Sequence, residues 1–377
     1  MGIENNWFAS TVGYDTMTAT ASEGIMKRYF LFLAALAAIG FAGSAYAGNS
    51  TSTPGAVHSG YQAFGNEPIA KTGSNEVNKS KYIRIVSFNI MAASWTEPEK
   101  YAPIPADVVD RNKRILKVIE YLKMPRQDAI DVFVLQEVNA REFKVLRGAL
   151  GKDFHSQMAY NAPGYWATEG DLPDPAKWEP NGPAIFASKS RFPEDNKPEF
   201  SQHALGDAGN FCITMKVRLK DTNTTLRVFG VHLDDTPTQP DDDQLTMMGK
   251  METEALMRLV GGQKNRVIDV IAGDLNINLG PHSPLTPIFE KEKFADAVNV
   301  LNVDKVPVTT SPYHESSDGV TEADVYDHIL VRNAKPVYAL VRHFGAEKIT
   351  DDDKRAEAFM RAAGSDHYPL EAVIRID

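Results

Sequence analysis

Residues 267–276 of the 377-residue chain read VIDVIAGDLN. Five of its first six residues are apolar, and most of those are β-branched, which predicts a buried strand that ends at Ala272. The strand leads directly into the tetrad GDLN (273–276), in which Asp274 and Asn276 lie two positions apart. On an extended segment both side chains would project to the same side. The stretch therefore predicts a β-sheet with a polar site at its edge.

Seven other short apolar runs rich in β-branched residues predict further strands. They lie at residues 82–88, 130–135, 184–188, 211–219, 226–233, 325–331 and 370–376. Two amphipathic stripes, at 108–122 and 245–259, predict helices between strands. The basic residues of the first stripe are expected on a solvated face; they are Arg111, Lys113, Arg114 and Lys117. Strands interleaved with helices make the fold class α/β or α+β.

Six of the predicted strand regions carry acidic, amide or imidazole residues at an end. These motifs are SFN (87–89), LQE (135–137), VHL (231–233), GDLN (273–276), YDHI (326–329) and SDHYPL (365–370). A charged residue at the end of a buried run is costly unless it is paired, hydrated or bound to a metal. Six such ends in one chain predict that the polar residues converge on one site.

The residue types at these ends favour a hard cation. Asn, Asp and Glu supply oxygen ligands, which suit Mg²⁺ or Mn²⁺ better than Zn²⁺. The sequence has a single cysteine, Cys212, and no HExxH segment. Asp366 and His367 are adjacent, so they converge only if that peptide lies in a loop, which Gly364 and Ser365 permit.

The order of these motifs resembles that of the endonuclease/exonuclease/phosphatase superfamily, which includes DNase I, AP endonucleases, bacterial sphingomyelinases and inositol polyphosphate 5-phosphatases. The resemblance spans residues 83–376, and an NGPAI segment at 181–185 supports it. GDLN combined with a C-terminal SDH is specific, although each alone is weak. The resemblance implies a four-layer sandwich, in which two mixed β-sheets pack face to face with helices on the outside.

The resemblance also implies metal-site residues. Glu137 would be the principal ligand of Mg²⁺, for which Mn²⁺ could substitute. Asn89 would lie beside the metal and help to orient the phosphate, and Asp366 would be a further metal ligand.

The resemblance assigns five residues to the reaction itself, an in-line displacement at phosphorus by an activated water. Asp274 and Asn276 would position the water and bind the phosphate. His367 would contact the scissile phosphate, oriented by Asp327 behind it. His232 would donate to a phosphate oxygen or assist the leaving group. Which group acts as the general base, and whether one or two metals act, stays open.

Resemblance to a fold family predicts the type of reaction more reliably than it predicts the substrate. The YDHI and SDHYPL spellings favour a DNase I-like endonuclease that cleaves DNA or RNA. The basic residues after Glu137 are candidates for phosphate contacts or simply an exposed helix face; they are Arg141, Lys144, Arg147 and Lys152. The alternatives are a sphingomyelinase-like or inositol-phosphate phosphoesterase, and an inactive secreted binding module or toxin subunit. A loop containing Tyr165, Trp166 and Trp178 is a candidate for substrate recognition.

The N-terminal region has the pattern of a secretory signal peptide at residues 26–47. Lys27 and Arg28 precede a 15-residue apolar run, which ends before an Ala-Tyr-Ala sequence at 45–47. The run is short for a bilayer span, which needs about 20 residues. We expect an upstream extension at 1–25 that reflects a misassigned start, a flexible leader at 48–80, and one catalytic domain at 81–377.

The charge balance bears on partners. The chain has 40 Lys and Arg and 50 Asp and Glu, a net charge of −10. Removal of residues 1–47 takes away two basic and three acidic residues, so the net charge becomes −9. Bulk charge would not hold such a protein on nucleic acid or anionic lipid. The sequence predicts a secreted or periplasmic monomer without a stable membrane anchor, which binds its phosphodiester substrate locally.

The signal-peptide hypothesis predicts the start of the mature chain. N-terminal sequencing of the exported protein should find a first residue at or near Gly48, because cleavage is expected after Ala47. A mature protein that begins at Met1 would contradict the hypothesis.

Overall fold

The structure, a computed structural model, describes most of the chain beyond residue 80. The described residues are 81–93, 96, 101, 104–126, 129–160, 180–206, 210–220, 222–234, 243–280, 283–301, 308–310 and 324–376. They belong to one compact unit, Ser59–Asp377. The predicted extension, signal peptide and leader, and the loop with Tyr165, Trp166 and Trp178, lie outside the described residues.

The first of two mixed sheets has six strands in the described part of the chain, in the order β11-β12-β1-β2-β4-β3. Their bounds are β1 Tyr82–Asn89, β2 Val132–Asn139, β3 Phe154–Met158, β4 Asn181–Ser188, β11 Lys335–Val341 and β12 Leu370–Arg375. β1 and β2 are parallel, and β12 runs antiparallel to β1.

The second sheet has the order β5-β6-β7-β8-β10-β9. Its strands are β5 Glu199–Ala204, β6 Phe211–Leu219, β7 Thr224–His232, β8 Val267–Asp274, β9 Ala295–Asp296 and β10 Asp327–Arg332. β7 and β8 are parallel, and β10 runs antiparallel to β8. Each sheet thus has a parallel pair at its centre with an antiparallel strand beside it.

Six α-helices occur in the described residues. They are α1 Arg111–Leu122, α2 Ala140–Leu150, α3 Asp243–Val260, α4 Thr286–Lys291, α5 Ala297–Leu301 and α6 Asp352–Ala363. Local signals begin them: Asn139 and Glu142 form a capping box on α2, and Asp110 caps α1. No helix in this part of the chain is long and apolar enough to cross a bilayer.

Side chains on β7 show the layering. Leu226 and Val228 belong to the core between the sheets, whereas Phe229 and Val231 pack in a second cluster with Leu256 of α3. This alternation has the two-residue period of a strand buried on both faces. Tyr121 of α1 and other residues of α1, α2 and α6 join the core from the outer side of the first sheet. The four-layer sandwich that the family resemblance implied is confirmed.

The eight predicted strands coincide with inner strands, and the four strands that the sequence did not predict are the edges. The missed strands are β3, β5, β9 and β11. β5, for example, reads EFSQHA and has no buried residue. An edge strand need not be apolar on both faces, so it lacks the hydrophobic run by which inner strands are recognised.

The expectation that Arg114 lies on a solvated face of α1 is wrong. Arg114 is 2% exposed, whereas Lys113 beside it is exposed. Four residues later Val118 is buried in the core, so Arg114 lies on the buried stripe of the helix rather than on its outer face.

The strand directions place the polar ends at one edge of the sandwich. β1, β2, β7 and β8 finish at this edge, and β10 begins there because it is antiparallel to β8. The register puts His232 opposite Asp274, and Asp274 opposite Asp327. In the first sheet Asn89 is opposite Gln136, next to Glu137. Strand register alone therefore brings His232, Asp274 and Asp327 into one row and puts Asn89 beside the end of β2.

Gly273 is needed where β8 approaches β7. A Cβ atom at this position would lie 2.0 Å from the carbonyl oxygen of Val231. We expect Gly273→Ala to lower the free energy of unfolding by about 3 kcal/mol, because the two strands must separate to admit the methyl group. Denaturant unfolding would measure the change.

Gly262→Ala is the matched control, since a Cβ atom there meets nothing within 4 Å. Its effect should stay below about 0.5 kcal/mol. Equal effects of the two substitutions would contradict the close approach at Gly273.

Candidate functional site

Three residues at the polar edge have left-handed backbone conformations. Glu137 has φ 58°, Asn276 has φ 51° and Met91 has φ 60°. The register of β2 against β4 shifts between Leu135 and Val138, so a bulge at the end of β2 turns Glu137 out of the ladder. Non-glycine residues with such φ values are costly and concentrate where side chains must be aimed.

Asn89 joins the two sheets. Its Nδ2 donates to Oε1 of Glu137 at 2.8 Å and to Oδ2 of Asp274 at 3.0 Å. Its Oδ1 accepts the N–H of Met91 at 2.9 Å, which fixes the orientation of the amide. The other oxygen of Glu137 accepts the N–H of Ala92 at 2.5 Å. Asn89 thus presents its nitrogen, not its oxygen, to the carboxylates.

His367 lies between two carboxylates. Its Nδ1 is 2.8 Å from Oδ2 of Asp327, and its Nε2 is 3.6 Å from Oδ2 of Asp274. All three residues are buried. Burial alone would lower the pKa of His367, but the negative charges of Asp327 and Asp274 outweigh it and hold that pKa well above its usual value. The two carboxylates therefore favour the protonated form of the imidazole.

Asn276 and His232 form the more exposed side of the site. Nδ2 of Asn276 is 3.1 Å from Nε2 of His232 and donates to the carbonyl of Leu233 at 2.8 Å. The N–H of Asn276 donates to Oδ1 of Asp274 at 2.9 Å, which closes a turn after β8. The expectation of an extended GDLN segment is wrong, and the turn is what brings Asn276 beside His232. Since His232, Asn276 and Glu137 are half-buried, solvent reaches the site on this side.

Asp366 contacts a residue that the sequence did not single out. The hydroxyl of Tyr101 donates to Oδ2 of Asp366 at 3.0 Å, and Tyr101 is buried. Burial and the charges of Asp366 and Glu137 raise the pKa of Tyr101 well above its usual value. Residues 364–366 form a bend rather than a strand, as convergence of Asp366 and His367 required.

Thr309 ties the two members of the Asp327–His367 pair together. Its hydroxyl accepts the N–H of Asp327 at 2.9 Å, and its carbonyl accepts the N–H of Tyr368 at 2.6 Å. A two-residue bridge also pairs Thr310 with His367. No sequence pattern pointed to Thr309, because its role depends on contacts with residues that are distant in the chain.

His328 supports the turn after β8 from behind. It is fully buried, with Nδ1 at 2.7 Å from Asp296 and Nε2 at 2.9 Å from the carbonyl of Ile277. Burial lowers its pKa, but Asp296 outweighs this effect and raises it. His328 is therefore a core histidine that supports the site rather than part of it.

The structure gathers all eight residues predicted for the site at one edge of the sandwich. They are Asn89, Glu137, His232, Asp274, Asn276, Asp327, Asp366 and His367. Their individual roles stay predictions. The basic residues after Glu137 are exposed on or just beyond α2, where Nη2 of Arg141 donates to Asn112 and Arg147 lies over the ring of Phe143.

The donor set fits a divalent cation. Asp274, Asp327 and, when its imidazole is neutral, His367 each offer a ligand atom, and these atoms lie within 4.8 Å of one another. Glu137 and Asp366 add two more carboxylates nearby, and Oδ1 of Asp327 is buried without a hydrogen-bond partner among the described residues. His367 and Arg114 are the cations that face these carboxylates. Oxygen ligands and surplus negative charge are what a hard cation requires.

A second carboxyl pair lies beside His232. Nδ2 of Asn210 donates to Oδ1 of Asp234 at 2.7 Å and to Oε1 of Glu252 at 2.9 Å. The N–H of Asp234 donates to the other oxygen of Glu252 at 2.8 Å. Burial, reinforced by the charge of Asp234, raises the pKa of Glu252 to about 8. At neutral pH Glu252 therefore stays protonated.

Comparison with known proteins identifies one matching family. The model of the "Endonuclease/Exonuclease/phosphatase family" matches residues 86–367. No curated protein matches the sequence. The match covers three quarters of the chain and contains the eight predicted site residues.

Solved structures of low sequence identity share the fold. The human Nocturnin catalytic domain with bound sulfate is 15% identical, with a TM-score of 0.52 over 78% of this chain and 95% of that one. ANGEL2, a 2′,3′-cyclic phosphatase in complex with adenosine-2′,3′-vanadate, is 18% identical, with a TM-score of 0.52 over 78% and 96%. D. rerio TDP2 complexed with a single-strand DNA product is 13% identical, with a TM-score of 0.50 over 78% and 99%.

The raised pKa of Glu252 predicts a pH-dependent stability. Because the carboxyl ionises near pH 4.5 when unfolded and near 8 when folded, its stabilising contribution is complete below pH 4.5 and is lost as the pH rises through 8. The glutamine in Glu252→Gln cannot ionise. Between pH 5 and pH 8.5 the melting temperature of this variant should therefore fall by about 4 °C less than the melting temperature of the wild type falls. Calorimetry at both pH values measures this difference.

Glu254→Gln serves as the control, because Glu254 is exposed on the same helix. It should keep the wild-type pH dependence. If Glu252→Gln also keeps it, Glu252 is ionised in the folded protein and the interpretation is wrong.

Proposed function

Because the chain belongs to the endonuclease/exonuclease/phosphatase family, whose members are hydrolases of phosphoester bonds, we propose that it is a metal-dependent phosphodiesterase of the DNase I-like endonuclease type. The observation that carries the proposal is Asp274, whose carboxylate accepts from Asn89 and faces both His232 and His367. The amide and the two imidazoles hold this carboxylate ionised and in a fixed position, from which it can accept a proton from an attacking water.

The neighbouring residues supply donors for a phosphate. His367 is held protonated by Asp327 and Asp274, so it can donate from Nε2 to a phosphate oxygen. Nδ2 of Asn276 and the ring of His232 lie on the half-buried side, where a phosphodiester would enter. Negative charge that develops on the phosphorus oxygens in the transition state is stabilised best by donors already fixed in place.

For the metal we propose Mg²⁺ at Glu137, with Asp366 as a further ligand and Asn89 beside it, and with Mn²⁺ as a substitute. A divalent cation bound there would stabilise the charge on the phosphate oxygens. The nitrogen of Asn89 donates to Glu137 and to Asp274, so Asn89 orients the proposed ligand Glu137 through a hydrogen bond. The cation has a second candidate position, the group of Asp274, Asp327 and His367. Loss of Mn²⁺ binding in Glu137→Gln but not in Asp327→Asn, measured by calorimetry, would favour the site at Glu137.

We propose nucleic acid as the substrate. Arg141 and Lys144 are exposed on the first turns of α2, which begins three residues after Glu137, so a phosphate backbone at the site can reach them. Arg147 lies further along the helix, which rises about 1.5 Å per residue, and is less suited. Among proteins of this fold, D. rerio TDP2 was solved with a DNA product, which makes nucleic acid the class to test first.

We also propose that the protein is exported and acts as a monomer outside the cytoplasm. Support for export comes from the basic, apolar and small-residue segments at 26–47. A net charge of −9 after cleavage suits an enzyme that binds a polyanion locally and releases its products.

The proposed roles predict the effect of two substitutions. Asp274→Asn and His367→Gln should each lower kcat on a phosphodiester by at least about 1,000-fold, because one removes the proton acceptor and the other the charged donor. Both replacements keep the side chain's size, so circular dichroism should show an intact fold.

The matched controls change an aspartate and a histidine that do not belong to the candidate site. Asp195→Asn changes an exposed carboxylate paired with Lys220, and His203→Gln changes a histidine on edge strand β5. Both should retain full activity. An Asp274→Asn, His367→Gln double variant that still turns over would overturn the assignment.

A substrate panel tests the function itself. Supercoiled plasmid, sphingomyelin and an inositol polyphosphate are each incubated with Mg²⁺ and with EDTA. We expect nicking of the plasmid with Mg²⁺ and none with EDTA. Cleavage of the lipid or the inositol phosphate alone would replace the nuclease by the phosphoesterase alternative, and inactivity on all three would favour the binding-module alternative.

A further inference from the structure

Arg114 is a buried cation that binds backbone carbonyls. Its Nη1 donates to the carbonyls of Ile90 at 3.0 Å and Gly364 at 2.7 Å, and its Nη2 donates to Met91 at 2.8 Å. The partners are 23, 24 and 250 residues away in the sequence. One guanidinium therefore joins three chain segments: α1, the turn after β1, and the segment before β12.

The other fully buried arginine of the described residues is bound in a different way. Arg332 donates from Nε and Nη2 to one carboxylate oxygen of Asp269, at 3.0 and 2.7 Å. That pairing offsets the cost of burying its charge. Arg114 donates to neutral carbonyls, and its Nε has no hydrogen-bond partner within the described part of the chain. Burial lowers the pKa of Arg114, while the charges of Glu142 and Asp366 oppose that shift.

The two segments that Arg114 binds both carry site residues. Ile90 and Met91 follow Asn89, and the N–H of Met91 fixes the amide of Asn89. Gly364 precedes Asp366 and His367. The hydroxyl of Ser365 donates to the carbonyl of Asn89 at 2.7 Å, so the segments are also in direct contact. A shift of either segment would change the spacing between Asn89 and His367.

The packing around Gly364 leaves little freedom for such a shift. Gly364 has φ 78° and ends α6, and a Cβ atom there would lie 2.4 Å from the carbonyl oxygen of Arg114 itself. The backbone of α1 thus lies against Gly364 while the side chain of Arg114 reaches over to bind its carbonyl. Arg114 therefore contacts Gly364 through its backbone carbonyl and through its guanidinium.

We propose that Arg114 is a positioning residue, which fixes the turn after Asn89 against the segment before Asp366 and His367. The inference rests on the proposed function, because the site whose geometry it fixes is the proposed phosphodiesterase site. Lysine cannot replace it, since a single ammonium lacks the planar fork that reaches carbonyls on two segments at once.

Arg114→Lys and Arg332→Lys form the test, since both remove a fully buried guanidinium and keep the charge. Arg332 is at the opposite end of β10 from Asp327, away from the site. Activity is measured per folded molecule. Arg114→Lys should lower kcat by about 100-fold with KM changed less than about threefold, because misplacement of reacting groups by about 1 Å has effects of this size. Arg332→Lys should keep kcat within about twofold.

Hydrogen exchange gives a second readout that does not need activity. In Arg114→Lys, peptides covering both 88–92 and 363–368 should exchange at least about tenfold faster, since the N–H groups of Met91 and His367 lose their fixed partners. In Arg332→Lys these two peptides should exchange as in the wild type. Should Arg114→Lys fail to fold, Arg114→Gln, which keeps two N–H donors, is measured in the same way.

The outcomes separate the two proposals. Equal kcat per folded molecule in Arg114→Lys and Arg332→Lys, or unchanged exchange at 88–92 and 363–368, would overturn the positioning role. If the wild type cleaves no phosphoester, the proposed function fails, and the exchange data alone decide whether Arg114 fixes the two segments.

Discussion

The pairing of β8 with strands on both sides is the constraint on which the site depends. β7 runs parallel to β8, and β10 runs antiparallel to it. The ends of β7 and β8 and the start of β10 therefore lie at the same edge of the sheet. His232, Asp274 and Asp327 form a row across the sheet as a result. The close approach of β7 and β8 at Gly273 keeps the distance between His232 and Asp274 short. The packing of the first sheet on the second brings Asn89 and Glu137 next to Asp274.

Electrostatics explains why these residues are arranged as they are. Carboxylates in or near a core are costly, and each one here is compensated by a donor: Asn89 for Glu137 and Asp274, His367 for Asp327, Tyr101 for Asp366. The negative charges in turn hold His367 protonated. The site is therefore an interdependent set, in which the donors on the half-buried side, where the proposed phosphate substrate would enter, lie next to buried carboxylates.

Rigidity around the site comes from residues that never face a substrate. Thr309 ties Asp327 to the segment of His367, His328 holds the turn that contains Asn276, and Arg114 joins the segments on the other side. Left-handed backbone conformations occur at two of the site residues, Glu137 and Asn276, where other contacts hold the side chains in place. Strained residues persist only where surrounding contacts determine their position, and they aim side chains that a regular strand could not.

Local signals in the sequence predicted the inner strands, from apolar runs buried on two faces, and the strand ends that carry polar residues. The resemblance of those motifs to a known family then selected the eight residues of the candidate site. The sequence did not determine the edge strands, which are too exposed to leave such a local signal. The turn at Asn276, the burial of Arg114 and the roles of Tyr101, Thr309 and His328 were decided only by the tertiary structure. These features depend on hydrogen bonds between residues tens to hundreds of positions apart, and no local pattern records which carbonyl a side chain will meet once the sheets have packed.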